Sequence, residues 1–399
     1  MKKNHLRVFA LVLLACLCMT FIRSAGVTAS AASGVGSLVE TGELFTERDM
    51  TQTADLSGAV TLQVSDGENL SITEEGVYVL TGAAAEATVV VDAGDAKVQL
   101  VLDGVSITNS DFPCIYVRSA DKVFVTTAAN SSLTVTGSFS GDGETNTDGA
   151  IYSKNDLVLN GTATLTVRSS ANGIVSKDDL KVTGGSYVIT AASHALEGKD
   201  SIRIAGGSFD LTAGKDALHS DNDEDAEKGI VYIADGSFSI NASDDGIHAN
   251  TFVQIDGGSF SIRAHEGIES TYVLLNGGTI AIQASDDGIN AANKSSAYRA
   301  TIEINGGEIS VSMGAGDTDG VDSNGDLIIN GGTVSVTGNS CFDVDGTVSF
   351  NGGTVYVNGQ QVSTIPVQMM GGGMGGERGG WGFMGGMNGM NGMNGGRRG

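Results

Sequence analysis

The sequence predicts an all-β solenoid, a parallel β-helix of about a dozen three-strand coils. Two repeated anchors and a glycine-rich, proline-poor composition carry that reading. With 59 glycines against 2 prolines, turns are made by glycine rather than fixed by proline. The apolar residues are mostly Val, Ile, Leu and Ala, interleaved with Ser, Thr, Asn and Asp. That mixture suits short, half-buried strands and offers almost no helix.

The first anchor is an apolar strand, a glycine turn and a second strand. It appears as LKVTGGSYVIT from Leu180, IRIAGGSFDLT from Ile202 and VQIDGGSFSIRA from Val253, and again from Val273, Ile302, Leu327 and Val348, with a degenerate copy at Val231. The closing glycines fall at 185, 207, 236, 258, 278, 307, 332 and 353, at spacings of 20 to 29. The second anchor is a polar, a small and an apolar residue: Asn172-Gly173-Ile174, His194-Ala195-Leu196, Asp216-Ala217-Leu218 and Asp245-Gly246-Ile247. It continues as Glu266-Gly267-Ile268, Asp287-Gly288-Ile289, Asp319-Gly320-Val321 and Ser340-Cys341-Phe342, and opens at Pro113-Cys114-Ile115. A single coil cannot bury its apolar face, whereas stacked coils share one core. Equivalent residues then form ladders. Tyr187, Phe209, Phe238 and Phe260 make one, continued in phase by Ile280, Ile309, Val334 and Val355, so an interior stack is expected rather than a binding platform.

The chain divides into four parts. Residues 1–31 read as a signal peptide: Lys2, Lys3 and Arg7, then an apolar run to Ile22, then Ala29-Ser30-Ala31 as a cleavage site. Leu13-Leu14-Ala15-Cys16 loosely resembles a lipobox, but the apolar run continues past it. The stretch is short for a membrane span, so no span is expected in the mature chain. A lead-in covers 32–58, the β-helix 59–366, and a Gly/Met-rich tail 367–399 that lacks a strand period and suits a flexible contact with a cell surface. Of the mature cysteines, Cys114 and Cys341 fall in one column nine coils apart, about 40 Å at strand spacing, and are expected to be separate buried thiols.

Removing the leader takes four basic residues and no acidic ones, moving the formal charge from −25 to −29. Such a surface repels nucleic acid and anionic membranes. Its carboxylates also stack. Asp216, Asp245, Glu266, Asp287 and Asp319 share one column; Glu269, Asn290, Asp322 and Asp343 share another, three positions along. Bare carboxylates about 5 Å apart repel by roughly 1 kcal/mol even in water, and a hard cation with oxygen ligands removes that cost. Calcium is therefore the expected cofactor, with Asp216, Asp244, Asp245, Glu266, Asp286, Asp287, Asp317, Asp319, Asp322 and Asp343 as metal-ligand candidates. The insert Asp142–Gly149 resembles the first half of a calcium loop without its closing Glu; Asp221–Asp225 is a second acidic insert.

Arg118, Lys154, Lys177 and Lys199 form a basic column suited to carboxylates of an acidic polymer, and are the carbohydrate-binding candidates. The same column also reads as a charge ladder with Asp156, Asp178, Asp179 and Asp200. His194, His219 and His248 lie near the polar columns and are read as turn or ladder residues. No Ser-His-Asp, phosphate-loop or zinc spacing is visible.

LFTERDM, the run GVYVLTG…VQLVLDGVSITNSDFPCIYVRSADKV, the turns DDGIHAN and DDGINAAN, the INGG strands and the Gly/Met-rich tail together resemble one family. It is the secreted clostridial carbohydrate-binding β-helix family, proposed adhesins with a pectate-lyase-like fold. The resemblance spans about residues 43 to 366 plus the tail. It implies a right-handed helix, calcium binding, and affinity for cellulose and for plant cell-wall or other acidic polysaccharides such as polygalacturonate. The leading expectation is a non-catalytic, calcium-loaded extracellular glycan binder. A pectate lyase, with Lys199 or Lys215 as base, and a purely structural surface rod are the alternatives.

Overall fold

The computed structural model describes residues 36–39, 44–314 and 318–367; the leader, the tail beyond Val367 and Asp317 lie outside them. Among the described residues three long sheets hold 13, 13 and 12 strands. The first sheet runs from Val60–Gln63 to Val348–Phe350, the second from Ala83–Ala85 to Gln360–Val362, and the third from Leu70–Ile72 to Ser340–Val344. Successive strands along the chain go to different sheets. One coil, for example, places Asp245–Ala249 in the third sheet, Phe252–Ile255 in the first and Ser259–Ala264 in the second. Strands of neighbouring coils pair in parallel until the last pair of the second sheet, where Gln360–Val362 returns antiparallel on Thr354–Val357. The fold is the parallel β-helix that the period predicts, right-handed as the family resemblance implies.

The registers match the two anchors. Tyr187, Phe209, Phe238 and Phe260 pair in successive coils, then Ile280, Ile309, Val334 and Val355. All are buried, and the four rings stack with centroids 5.4, 4.5 and 4.5 Å apart. The glycine turn exists because its second residue has a backbone that side chains resist. Gly278 has φ +90°, and a Cβ there would sit 2.9 Å from the Gly258 carbonyl oxygen. Gly246 shows why the second anchor needs a small residue: a Cβ would meet Ile262 Cγ2 at 2.5 Å and the Gly267 oxygen at 2.6 Å. Cys114 and Cys341 are both free and buried. They precede Ile115 and Phe342, which nine successive pairings link in one column.

The lead-in contributes the helix Glu47–Met50, with Thr46 and Asp49 closing a capping box. Asp49 is fully buried, with Lys122 and Lys181 of the first sheet at 3.8 and 3.6 Å. Gln52 donates to the Thr183 carbonyl at 3.1 Å and accepts the Gly161 N–H at 3.0 Å. These contacts clamp the lead-in across the outside of the first sheet.

Candidate functional site

The third sheet is short-stranded and gathers the polar columns. Leu196, Leu218, Ile247, Ile268, Ile289, Val321 and Phe342 pair in register and are buried. The residue one after each lies on the other side of the strand, and the residue two before each, on the turn that leads into the strand, meets it there: His219 Nδ1 is 2.6 Å from Asp216 and His248 Nδ1 2.7 Å from Asp245. The position two before gives His194, Asp216, Asp245, Glu266, Asp287 and Asp319; the position one after gives Glu197, His219, His248, Glu269, Asn290, Asp322 and Asp343. The carboxylate columns expected from the sequence therefore stand side by side, and the histidines belong to them.

Around Asp216, Asp245 and Glu269 the face forms a groove, with Lys215 and Lys294 on its walls. The Asp216 carboxylate lies 3.2 Å from His194 Nδ1 and 2.6 Å from His219 Nδ1. Its Oδ1 accepts the Asp245 backbone N–H at 3.0 Å. His248 Nδ1 is 2.7 Å from Asp245 and 3.0 Å from Glu269, and Lys294 Nζ reaches Glu269 at 2.8 Å. The imidazoles stack, His194 on His219 at 4.0 Å and His219 on His248 at 5.1 Å. Burial would raise the Asp216 carboxyl, but the two imidazoles and the Asp245 N–H outweigh it and hold it well below the usual range. Burial likewise works against a charged His248, and the Asp245 and Glu269 carboxylates reverse it, pushing the imidazole upward.

Further along, the cations run out. Burial, with Glu269 beside it, pushes Glu266 up to about 7; burial and Asp322 push Asp287 up to about 7. Asp322 rises to about 6 through burial and the neighbouring Asp319 and Asp343. Asp245, Glu266 and Glu269 offer oxygens within 4.8 Å of one another, and so do Glu266, Asp286 and Asp287. Asn290 donates to Glu266 at 3.0 Å while its buried Oδ1 makes no hydrogen bond. Asp244 is exposed at the groove edge. Asp319 accepts the Ser340 hydroxyl, and Asp322 pairs in register with Asp343 one coil beyond, outside the groove. Asp317 lies outside the described residues.

The basic candidates do fall in one column: the backbone N–H groups of Lys154, Lys177 and Lys199 bond to the carbonyls of Val117, Ser153 and Ser176. Each meets a carboxylate. Arg118 pairs with Asp92 at 3.3 Å, Lys154 with Asp142 at 2.8 Å, Lys177 with Glu197 at 2.5 Å and Lys199 with Glu224 at 2.8 Å. These are not the acids of the expected ladder. Asp156 and Asp179 instead meet Lys122 and Arg203, and Asp200 meets Lys228, because those acids begin or precede first-sheet strands. The Asp142 insert closes on protein donors. Tyr116 and Lys154 take one oxygen, and the Glu144 and Thr145 N–H groups take the other, leaving no calcium loop.

Sequence reasoning missed Lys294 and the convergence of the histidines on Asp216 and Asp245. Their shared offset from the apolar anchor, two before or one after, was the available signal.

The outer side of the third sheet thus carries a ladder of ionisable side chains, several of them buried among one another, as are Asp216, Asp245 and Glu269. The chain belongs to the family of carbohydrate-binding domain-containing proteins, whose model matches residues 66–317 and 266–363. A carbohydrate-binding domain-containing protein of Acetivibrio thermocellus is 32% identical over 165 residues, 40% of this chain. The match spans 56% of that relative's length. Among solved structures, the polysaccharide lyase-like protein from C. thermocellum, a gadolinium derivative, aligns with TM-score 0.42 and 24% identity, over 74% of this chain and 96% of that one. Among the described residues, no helix is long and apolar enough to cross a membrane.

Proposed function

We propose that this chain is an extracellular, non-catalytic glycan binder whose acidic column is loaded with calcium and holds an acidic polysaccharide of the polygalacturonate type, with cellulose as a neutral ligand. The observation that supports it most directly is the pair of all-oxygen clusters sharing Glu266: Asp245, Glu266 and Glu269 on one side, Glu266, Asp286 and Asp287 on the other. Such donors suit a hard cation, and the unbonded Asn290 Oδ1 adds a neutral oxygen beside them. A metal held there lets one acidic surface hold another, because the ion attracts carboxylates on both sides. The paired Arg118, Lys154, Lys177 and Lys199 extend the same face. Arg118 is more than half exposed and Lys199 about a third, so a ligand carboxylate can exchange with their surface partners at little cost. The basic, apolar and A-x-A leader supports export.

A lyase would need a free base beside the metal. Lys294 is committed to Glu269, while Lys215 stands exposed on the groove wall. Retention on immobilised polygalacturonate and on cellulose, each with calcium and with chelator, tests the reading. Calcium-dependent retention on the uronate polymer, without release of unsaturated uronides, is expected. Steady product accumulation lost on Lys215→Ala would replace it with the lyase. Absence of retention on either polymer would leave a structural rod.

A further inference from the structure

The ligand chemistry of the third-sheet column changes along its length. Asp287 and Asp286 with Glu266 offer only oxygens, as do Glu266 and Glu269 with Asp245. One coil back, Asp245 and Asp216 are joined by His248, and one coil further Asp216 stands between His194 and His219. The set thus passes from three oxygens to two oxygens and a nitrogen, then to two nitrogens and an oxygen.

We propose that His194, Asp216 and His219 form a binding site for a divalent transition-metal ion of the zinc class, separate from the oxygen-only clusters. Three observations converge. First, His194 Nδ1, His219 Nδ1 and an Asp216 oxygen lie within 4.8 Å of one another, at 3.2 and 2.6 Å across the two nitrogen–oxygen pairs. Ligands at about 2.0–2.1 Å from a tetrahedral ion stand about 3.3 Å apart, so one pair is already at that separation, the other must open by about 0.7 Å, and the two imidazoles, stacked at 21°, must turn so that both ring planes pass through the ion. Secondly, His194 Nδ1 is buried and makes no hydrogen bond, lying off the hydrogen-bonding direction of the nearby carboxylate. Close ion pairing accounts for His219 on Asp216 at 2.6 Å and for His248 on Asp245 at 2.7 Å, whereas His194 Nδ1 stands 3.2 Å from the same Asp216 carboxylate without hydrogen-bond geometry. A metal ion satisfies it. Thirdly, the Asp216 carboxylate is oriented from behind by the Asp245 backbone N–H on its other oxygen, as ligating carboxylates are held in metal sites.

Imidazole nitrogens favour zinc, cobalt, nickel and copper, and contribute little to calcium binding. Three protein ligands leave a position facing the groove for water or a ligand oxygen. The site therefore discriminates between metals that the neighbouring carboxylates would not separate.

The test uses the untagged mature chain, dialysed against chelator and titrated with Co2+ alone and with Zn2+ alone. One equivalent of Co2+ is expected to develop visible ligand-field bands that Zn2+ abolishes and a large excess of Ca2+ does not. His194→Gln is expected to weaken Zn2+ binding by at least about tenfold. It should leave the far-ultraviolet dichroism and any calcium-dependent melting shift intact, since the bonds that tie residue 194 into the fold are made by its backbone, the N–H to Asn172 Oδ1 at 3.0 Å and the carbonyl from the Gly173 N–H at 2.9 Å. His219→Gln should act alike. Absence of saturable Zn2+ binding overturns the proposal. So does Zn2+ binding unchanged in His194→Gln, or binding lost only in Asp287→Asn, which would place the ion among the oxygens. The calcium and glycan readouts are independent, so either conclusion stands or falls alone.

Discussion

Asp216 Oδ1 accepts the backbone N–H of Asp245 at 3.0 Å, so a carboxylate of one coil holds the main chain of the next where that coil presents its own carboxylate. The contact couples the charge column to the stacking of the helix. Changes in the column are therefore read in stability as well as in binding.

Replacing Asp287 separates those two readouts. In the absence of metal Asp287 lies near Asp286, Asp319 and Asp322, so Asp287→Asn removes repulsion and should raise the melting temperature at pH 8. The amide oxygen can still accept the Asp319 N–H, which bonds to Asp287 at 3.3 Å. The same variant should lose most of the calcium-induced rise. A scan with and without calcium checks both, and a fall in the metal-free variant would contradict the account of the column.

The metal-free protein should lose stability as pH rises from about 4 to about 7. Glu266 and Asp287 are pushed to about 7 and Asp322 to about 6, whereas unfolded carboxylates titrate near 4. Between those values the folded state binds more protons than the unfolded one, and the sign of linkage makes stability fall with pH. Saturating calcium, which prefers the ionised carboxylates, should flatten the fall. Melting curves at closely spaced pH values, in chelator and in calcium, measure it.

Glycine turns offer a matched pair. Gly278→Ala forces a side chain onto φ +90° and into the Gly258 carbonyl, at a cost of about 1–3 kcal/mol. Gly206, first glycine of an equivalent turn, has open space where its Cβ would be, so Gly206→Ala should be close to neutral. Chemical denaturation of the two variants distinguishes them.

Cys114 should resist alkylation in the native protein. It is fully buried, and burial pushes its thiol up to about 12, so little thiolate is present at neutral pH. Mass spectrometry of the native protein should find no adduct there and no Cys114–Cys341 disulfide, while denaturant should expose both thiols.

The fold was legible because its information is periodic. Ile247 can be placed in the core from its equivalents Leu218 and Ile268 alone, and the phase of the Tyr187–Val355 ladder separates interior from platform. The acidic columns followed from the same bookkeeping. Side-chain partnerships did not. His194 and His219 are 25 positions apart, and whether their rings converge on Asp216 depends on rotamers and on how each turn is spent. Inserts such as the one at Asp221 carry Glu224 onto Lys199, which no column arithmetic foretells. The reach of Asp49 to Lys122 and Lys181 was equally hidden, since a non-repeating lead-in has no equivalent to align with.

The return of Gln360–Val362 on Thr354–Val357 also changes the edge that the second sheet presents. Parallel coils present an edge that invites a further coil, and identical solenoids could in principle lengthen into fibres by offering one. Here the second sheet closes that edge with a three-residue strand running the opposite way, flanked by exposed Asn358 and Gly359 at positive φ. A template so short and reversed gives an incoming coil no register to copy. Pairing by copying the parallel register is thereby blocked on the second sheet.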